Sequence, residues 1–183
     1  MHQDECPENI NFFNNLREDI KEFNEPDIIF LRCSHITLFG TFFQFHMPYF
    51  ISKKVLQFKP EILLVHNFVG SPSNVVFKQN KKLLFDEKLK WLVDVDWIVR
   101  LLNQRNIKWI FMKNLSIISI VHPETSITAS LGSEIKVINN KEIKLIRDKS
   151  NYSKTLFSIL VPVTLYNKAL KFLENIAWGI LYL

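Results

Sequence analysis

The stretch Gly70 to Leu102 decides the fold, through its segments GSPSNVVFK (70–78), LFDEKL (84–89) and LVDVDWIVRLL (92–102). Gly70-Ser71-Pro72-Ser73 punctuates the chain as a turn, and the β-branched run NVVFK after it reads as a strand. Asp94 then opens a segment in which Trp97, Ile98, Leu101 and Leu102 share one face. A helix is therefore predicted over 94–105, with two carboxylates in its first turn and Asp94 as its N-cap. Turn, strand and helix in that order are what a layered α/β domain requires.

Toward the N-terminus, Pro7 stands where a first helical residue belongs, and Ile10, Phe13, Leu16, Ile20 and Phe23 recur at spacings of three and four, predicting a helix over 7–24. The break at Asn24-Glu25-Pro26 leads into IIFLRC, a buried strand. Residues 35–50 are rich in Phe and Tyr without a clear period and read as a loop or hairpin whose rings fill a cleft wall or a core, with core filling the preferred reading. Lys53 to Phe58 reads as a helical turn, and Pro60 to Asn67 is ambiguous between helix and strand. Toward the C-terminus, KWIFM (108–112) and LSIISIV (115–121) read as two strand-like runs, the second ending at His122. Ile135, Ile138, Ile143 and Ile146 give the partial stripe of a helix over 130–149. A basic amphipathic helix is predicted at roughly 164–182.

Of the chain's 183 residues, 48% are hydrophobic and 22% charged, too apolar for disorder and too interrupted for a membrane bundle. Gly numbers only 4, which excludes a P-loop and a GxGxxG dinucleotide turn, since both cluster glycines to bring backbone against phosphate. Cys6 and Cys33 have no partners at zinc spacing, and a reducing cytoplasm is expected. The near-apolar tract Thr155 to Tyr166 is too short to span a bilayer. The net charge of +5 conceals an acidic opening, with eight acids and two bases in residues 1–27, ahead of a basic remainder. Such a remainder suits an anionic membrane surface or a phosphorylated small molecule. Nucleic acid is not expected as a partner, because the lysines are dispersed and lack an RNA-binding aromatic signature.

Polar clusters mark the element boundaries: His2-Gln3-Asp4-Glu5, Gly70-Ser71-Pro72-Ser73, Asp94-Val95-Asp96 with Arg100 one turn later, and His122. Taken singly, each has a plain reading as a cap, a helix pair or a hydrogen-bonded imidazole. Their order, from HQDE through GSPSNVVFK, LFDEKL and LVDVDWIVRLL to a strand ending in His, resembles the C-terminal half of family 2 glycosyltransferases of the GT-A fold. The resemblance covers about residues 1–130. It implies an incomplete GT-A-like, Rossmann-like mixed sheet flanked by helices, spanning residues 1–150, with a C-terminal amphipathic helix in residues 151–183.

The resemblance also implies chemistry. Val93 replaces the family's usual Glu, while Asp94 falls on the Asp that acts as general base, taking the proton of a hydroxyl acceptor during inverting transfer from a nucleotide-diphosphate sugar. Asp4 and His122 fall on the metal positions, implying Mn or Mg, and Glu5 stands where a further Asp is usual. Gly70, Ser71, Pro72, Ser73, Asp96 and Arg100 are the implied substrate-binding residues. The activity implied is sugar transfer in cell-surface polysaccharide synthesis, in the cytoplasm and at most peripheral at the inner face of the membrane. The family's nucleotide-binding half precedes the motif with which this chain begins, so a truncated enzyme is expected, nearly inactive alone, its exposed sheet covered by a partner chain. A non-enzymatic interaction or acceptor-binding subunit is the alternative reading.

Overall fold

The computed structural model describes residues 5–37, 40–43, 49–79, 83–120 and 131–150. In chain order the elements are β1 (Glu5–Pro7), α1 (Phe12–Glu22), β2 (Ile28–Thr37), β3 (Gly40–Phe43), α2 (Tyr49–Phe58), β4 (Val75–Phe77), α3 (Val93–Leu102), β5 (Trp109–Ile120) and α4 (Glu134–Ser150). Short 3-10 turns at Pro60–Leu64 and Pro72–Asn74 link α2 to β4. The contacts divide the chain into Met1–Leu145 and Ile146–Leu183. The tail helix expected near 164–182 lies outside the described residues.

The sheet is mixed, and β2 is its axis. Along one edge β2 runs parallel to β5, from Ile28 opposite Trp109 to Ile36 opposite Ile120. Ile28, Ile29 and Phe30 also pair antiparallel with Phe77, Val76 and Val75 of β4, which therefore occupies the other edge. Farther along that edge Ser34 to Thr37 form a hairpin with β3, which gives regular structure to part of the segment read as a loop or hairpin. β1 closes the far side, antiparallel to β5, with Glu5 opposite Ser119. The sequence's two strand-like runs at 108–112 and 115–121 are thus a single strand. Its register against β2 shifts between Phe30 and Arg32, which face Phe111 and Ser116, so β5 bulges there.

One face of the sheet is covered by α1. Phe12 and Leu16 pack with Ile29, Leu31, Met112, Leu115 and Ile117, and Ile20 continues the same row. The expected helix over 7–24 is shorter, and its buried stripe lies elsewhere. Pro7 belongs to β1, and Glu8 donates its backbone N–H to the Ser116 carbonyl, so the chain stays extended there and Ile10 precedes the helix. Ile10 is 96% exposed and Phe13 61%, whereas Phe12 is 1% exposed. The inward row is Phe12, Leu16, Ile20 at intervals of four.

Helix α3 is buried around most of its circumference, by Val95 and Val99 as well as Trp97, Ile98, Leu101 and Leu102. It packs against the Pro60–Leu64 turn, whose Pro60, Ile62, Leu63 and Leu64 are buried. It stops at Leu102 instead of residue 105, and a left-handed Asn106 (φ 62°) turns the chain toward β5. No helix among the described residues is long and apolar enough to cross a membrane.

Candidate functional site

Asn67 builds the loop that presents the GSPS turn. Its side-chain carbonyl accepts the backbone N–H groups of Val69 and Gly70 at 3.1 Å, and its amide donates to the Gly70 carbonyl at 2.7 Å. Gly70 sits at φ 94°, a conformation open to glycine and costly for a residue with a Cβ. Beyond it Ser71 swings to the edge of the sheet and donates its hydroxyl to Glu5 Oε1 at 2.7 Å. The turn expected to bind substrate and the acidic opening thereby meet, with Pro72 exposed and Ser73 half-buried beside them.

The groups around this contact have unused bonding capacity. Glu5 Oε2, both polar atoms of the Asn74 amide, and Ser34 Oγ are buried without a hydrogen-bond partner, and Asn74 is 0% exposed. The Cys33 thiol lies close by. Burial pushes its pKa up, the Asn74 side chain pulls it partly back, and the negative charge of Glu5 raises it further. Carboxylate and amide oxygens are hard donors of the kind Mg²⁺ or Mn²⁺ prefers. Among the described residues no three His, Cys, Asp or Glu side chains cluster for a metal. Asp4 and His122, the expected metal ligands, lie outside the described residues.

Asp94 is the second residue of α3 and not its N-cap, which is Leu92, a side chain unable to cap. Glu142 of α4, at 4% exposure, instead holds the backbone turn that leads into the helix. Its Oε1 accepts the backbone N–H of Lys90 at 2.7 Å and of Trp91 at 3.3 Å, and its Oε2 accepts Trp91 at 3.1 Å and Leu92 at 2.8 Å. Burial raises the Asp94 pKa above the model-compound 3.8, while hydrogen bonds from the backbone N–H groups of Val95 and of Asp94 itself oppose the rise.

Asp96 and Arg100 do form the expected i, i+4 pair, and it lies mostly within the protein. Arg100 Nε donates to Asp96 Oδ2 at 2.7 Å, Asp96 is 5% exposed, and Arg100 Nη2 is buried without a partner. Asp96 is committed to Arg100 in this arrangement, and Nη2 is a buried donor that the pair leaves unused. The LFDEKL segment is tied to the same helix, because Trp97 Nε1 donates to the Leu83 carbonyl at 3.1 Å and the Trp97 ring meets Phe77 and Phe85 with centroids 4.4 and 5.6 Å away.

Sequence reasoning missed Asn67, Asn74 and Glu142. Each left a trace: an Asn three residues before a glycine, a polar residue opening a β-branched run, and a carboxylate four residues from both Ile138 and Ile146 on an otherwise apolar stripe. Comparison with family models, with curated proteins and with solved structures returned no match.

Proposed function

We propose that the chain carries the acceptor side and the cation side of a family 2 glycosyltransferase-like site. Its reaction is the inverting transfer of a sugar from a nucleotide-diphosphate sugar to a hydroxyl acceptor, in the assembly of a cell-surface polysaccharide. The supporting observation is the 2.7 Å bond between Ser71 and Glu5, because it joins two parts of the family-like pattern that stand 66 residues apart in sequence.

In this reading Asp94 accepts the acceptor's hydroxyl proton as that oxygen forms its bond to the anomeric carbon and the bond to the diphosphate breaks. The desolvation that raises its pKa suits this role, since a base titrating closer to neutral pH takes a hydroxyl proton with less penalty. Arg100, clamped by Asp96, offers Nη2 to a substrate oxygen. Asp4 and His122 would hold Mn²⁺ or Mg²⁺, and the ion when bound would neutralise charge on the departing diphosphate. Gly70 and Ser71 fix the wall opposite Glu5.

The test uses lysate and membranes from cells deleted for the chain, supplied with labelled nucleotide sugars and Mn²⁺. Wild-type chain is expected to restore incorporation into polysaccharide and Asp94→Asn to leave it at background. Chain alone is expected to turn over negligibly, since donor positioning carries much of the rate. Equal restoration by the two proteins would rule out Asp94 as the base.

A further inference from the structure

We propose that Glu142 is a positioning residue for Asp94, holding from α4 the backbone turn on which the Asp94 carboxylate is mounted. The inference rests on the reading of Asp94 as the base, and it adds a member of the site that lies beyond the last matched residue of the family-like pattern.

A helix begins with backbone N–H groups that have no partner within the helix. An ordinary cap satisfies them from the residue at the N-cap itself, and Leu92 has no such atom. Glu142 is fifty residues away in sequence from Leu92 and serves all three successive N–H groups of Lys90, Trp91 and Leu92. Three consecutive amides converging on one anion form a nest, and a buried carboxylate in that nest is compensated by the amides and by the positive end of the helix. Beyond Val93, the amides of Asp94 and Val95 bond the Asp94 carboxyl. Two carboxylates thus serve the entry of α3, Glu142 the turn before it and Asp94 its first turn.

This arrangement makes Asp94 dependent on Glu142. The Asp94 carboxyl is bonded to backbone of its own first turn, so its position follows that turn and cannot be corrected by rotation alone without giving up those bonds. The turn in turn follows the nest. A plain apolar residue at 142 would fit the stripe with Ile138 and Ile146 and leave the three amides without their acceptor, the buried one of Leu92 most expensively; the carboxylate satisfies them. Glu142 touches no reacting atom in this account and acts through the backbone.

The experiment uses the full chain with aspartate carboxyls labelled with ¹³C, as wild type, Glu142→Ala and Glu142→Gln. At one fixed pH it reads the amide resonances of Lys90, Trp91 and Leu92 and the carboxyl resonance of Asp94. In Glu142→Ala the three amides are expected to shift upfield and the Asp94 carboxyl to move with them. Formate, small enough to enter the vacated nest, is expected to return both sets along one saturable curve, whereas chloride at equal ionic strength returns neither. Glu142→Gln keeps one acceptor oxygen without the charge and is expected to fall between the two. An Asp94 resonance at its wild-type position in folded Glu142→Ala would overturn the proposal. So would an Asp94 resonance displaced in Glu142→Ala that neither formate nor the Gln variant brings back. Should the Ala variant fail to fold, an Asp94 resonance unchanged in Glu142→Gln overturns it equally. None of these readings needs a sugar, so formate rescue together with failure of the wild-type chain to restore incorporation in the deleted lysate and membranes would refute the proposed function and leave the positioning role standing.

Discussion

The hydroxyl of Ser71 donates to the carboxylate of Glu5 across 66 positions of sequence, fastening the GSPS turn to the edge strand β1. Because Glu5 Oε2 is already without a partner, removing the hydroxyl leaves both oxygens of a part-buried carboxylate unsatisfied. Ser71→Ala is therefore expected to cost about 1 to 3 kcal/mol in urea unfolding. The double variant Ser71→Ala with Glu5→Leu should recover part of that loss, since no stranded carboxylate remains. Equal stability of Ser71→Ala and wild type would mean that the bond does not persist in solution.

The orientation of α1 makes a sharp contrast between adjacent phenylalanines. Phe12 lies in the core with Leu16 and Ile117, whereas Phe13 is mostly in water. Phe12→Ala should destabilise the chain by about 3 to 5 kcal/mol, and Phe13→Ala by less than about 1 kcal/mol. The reverse ranking would restore the stripe through Ile10 and Phe13 that the spacing alone suggests.

Asp94 has a raised pKa in the folded state, and the sign of the consequence follows from that. Its contribution to stability is fully present below the unfolded value near 3.8 and is lost as pH rises through the higher folded value. Asp94→Asn, which cannot ionise, should thus gain stability relative to wild type as pH is raised from 4 toward 8. Parallel urea titrations of the two proteins at several pH values measure the difference. A difference that shrinks with rising pH would place the Asp94 carboxylate in a favourable, charge-stabilising setting instead.

Much of the architecture could be read from local pattern. The IIFLRC run, the turn at Gly70, the strand after it and the helix after Asp94 all follow from short-range propensity, and each is present close to its expected limits. What local pattern misjudged was decided by distant pairing. Glu5 to Pro7 are a strand because β5 is there to receive them, and that displaced the start of α1 and rotated the buried face from Phe13 to Phe12. The two runs 108–112 and 115–121 became one strand because β2 continues past the bulge. In the candidate site, the Asp96–Arg100 pair was visible as i, i+4 spacing. The hold of Glu142 on the turn before α3 was not, because nothing near Leu92 announces a carboxylate fifty residues away. Asp4 and His122 fall outside the described residues.

The central claim is that Asp94 shares one cation-bearing cleft with the Ser71–Glu5 contact, and Mn²⁺ tests it most directly. Substoichiometric Mn²⁺ added to the ¹⁵N-labelled full chain broadens resonances according to their distance from the bound ion. The account predicts that Glu5, Ser71 and Asp94 broaden together. Broadening of Glu5 and Ser71 with Asp94 left sharp, or no localised broadening at all, would contradict it.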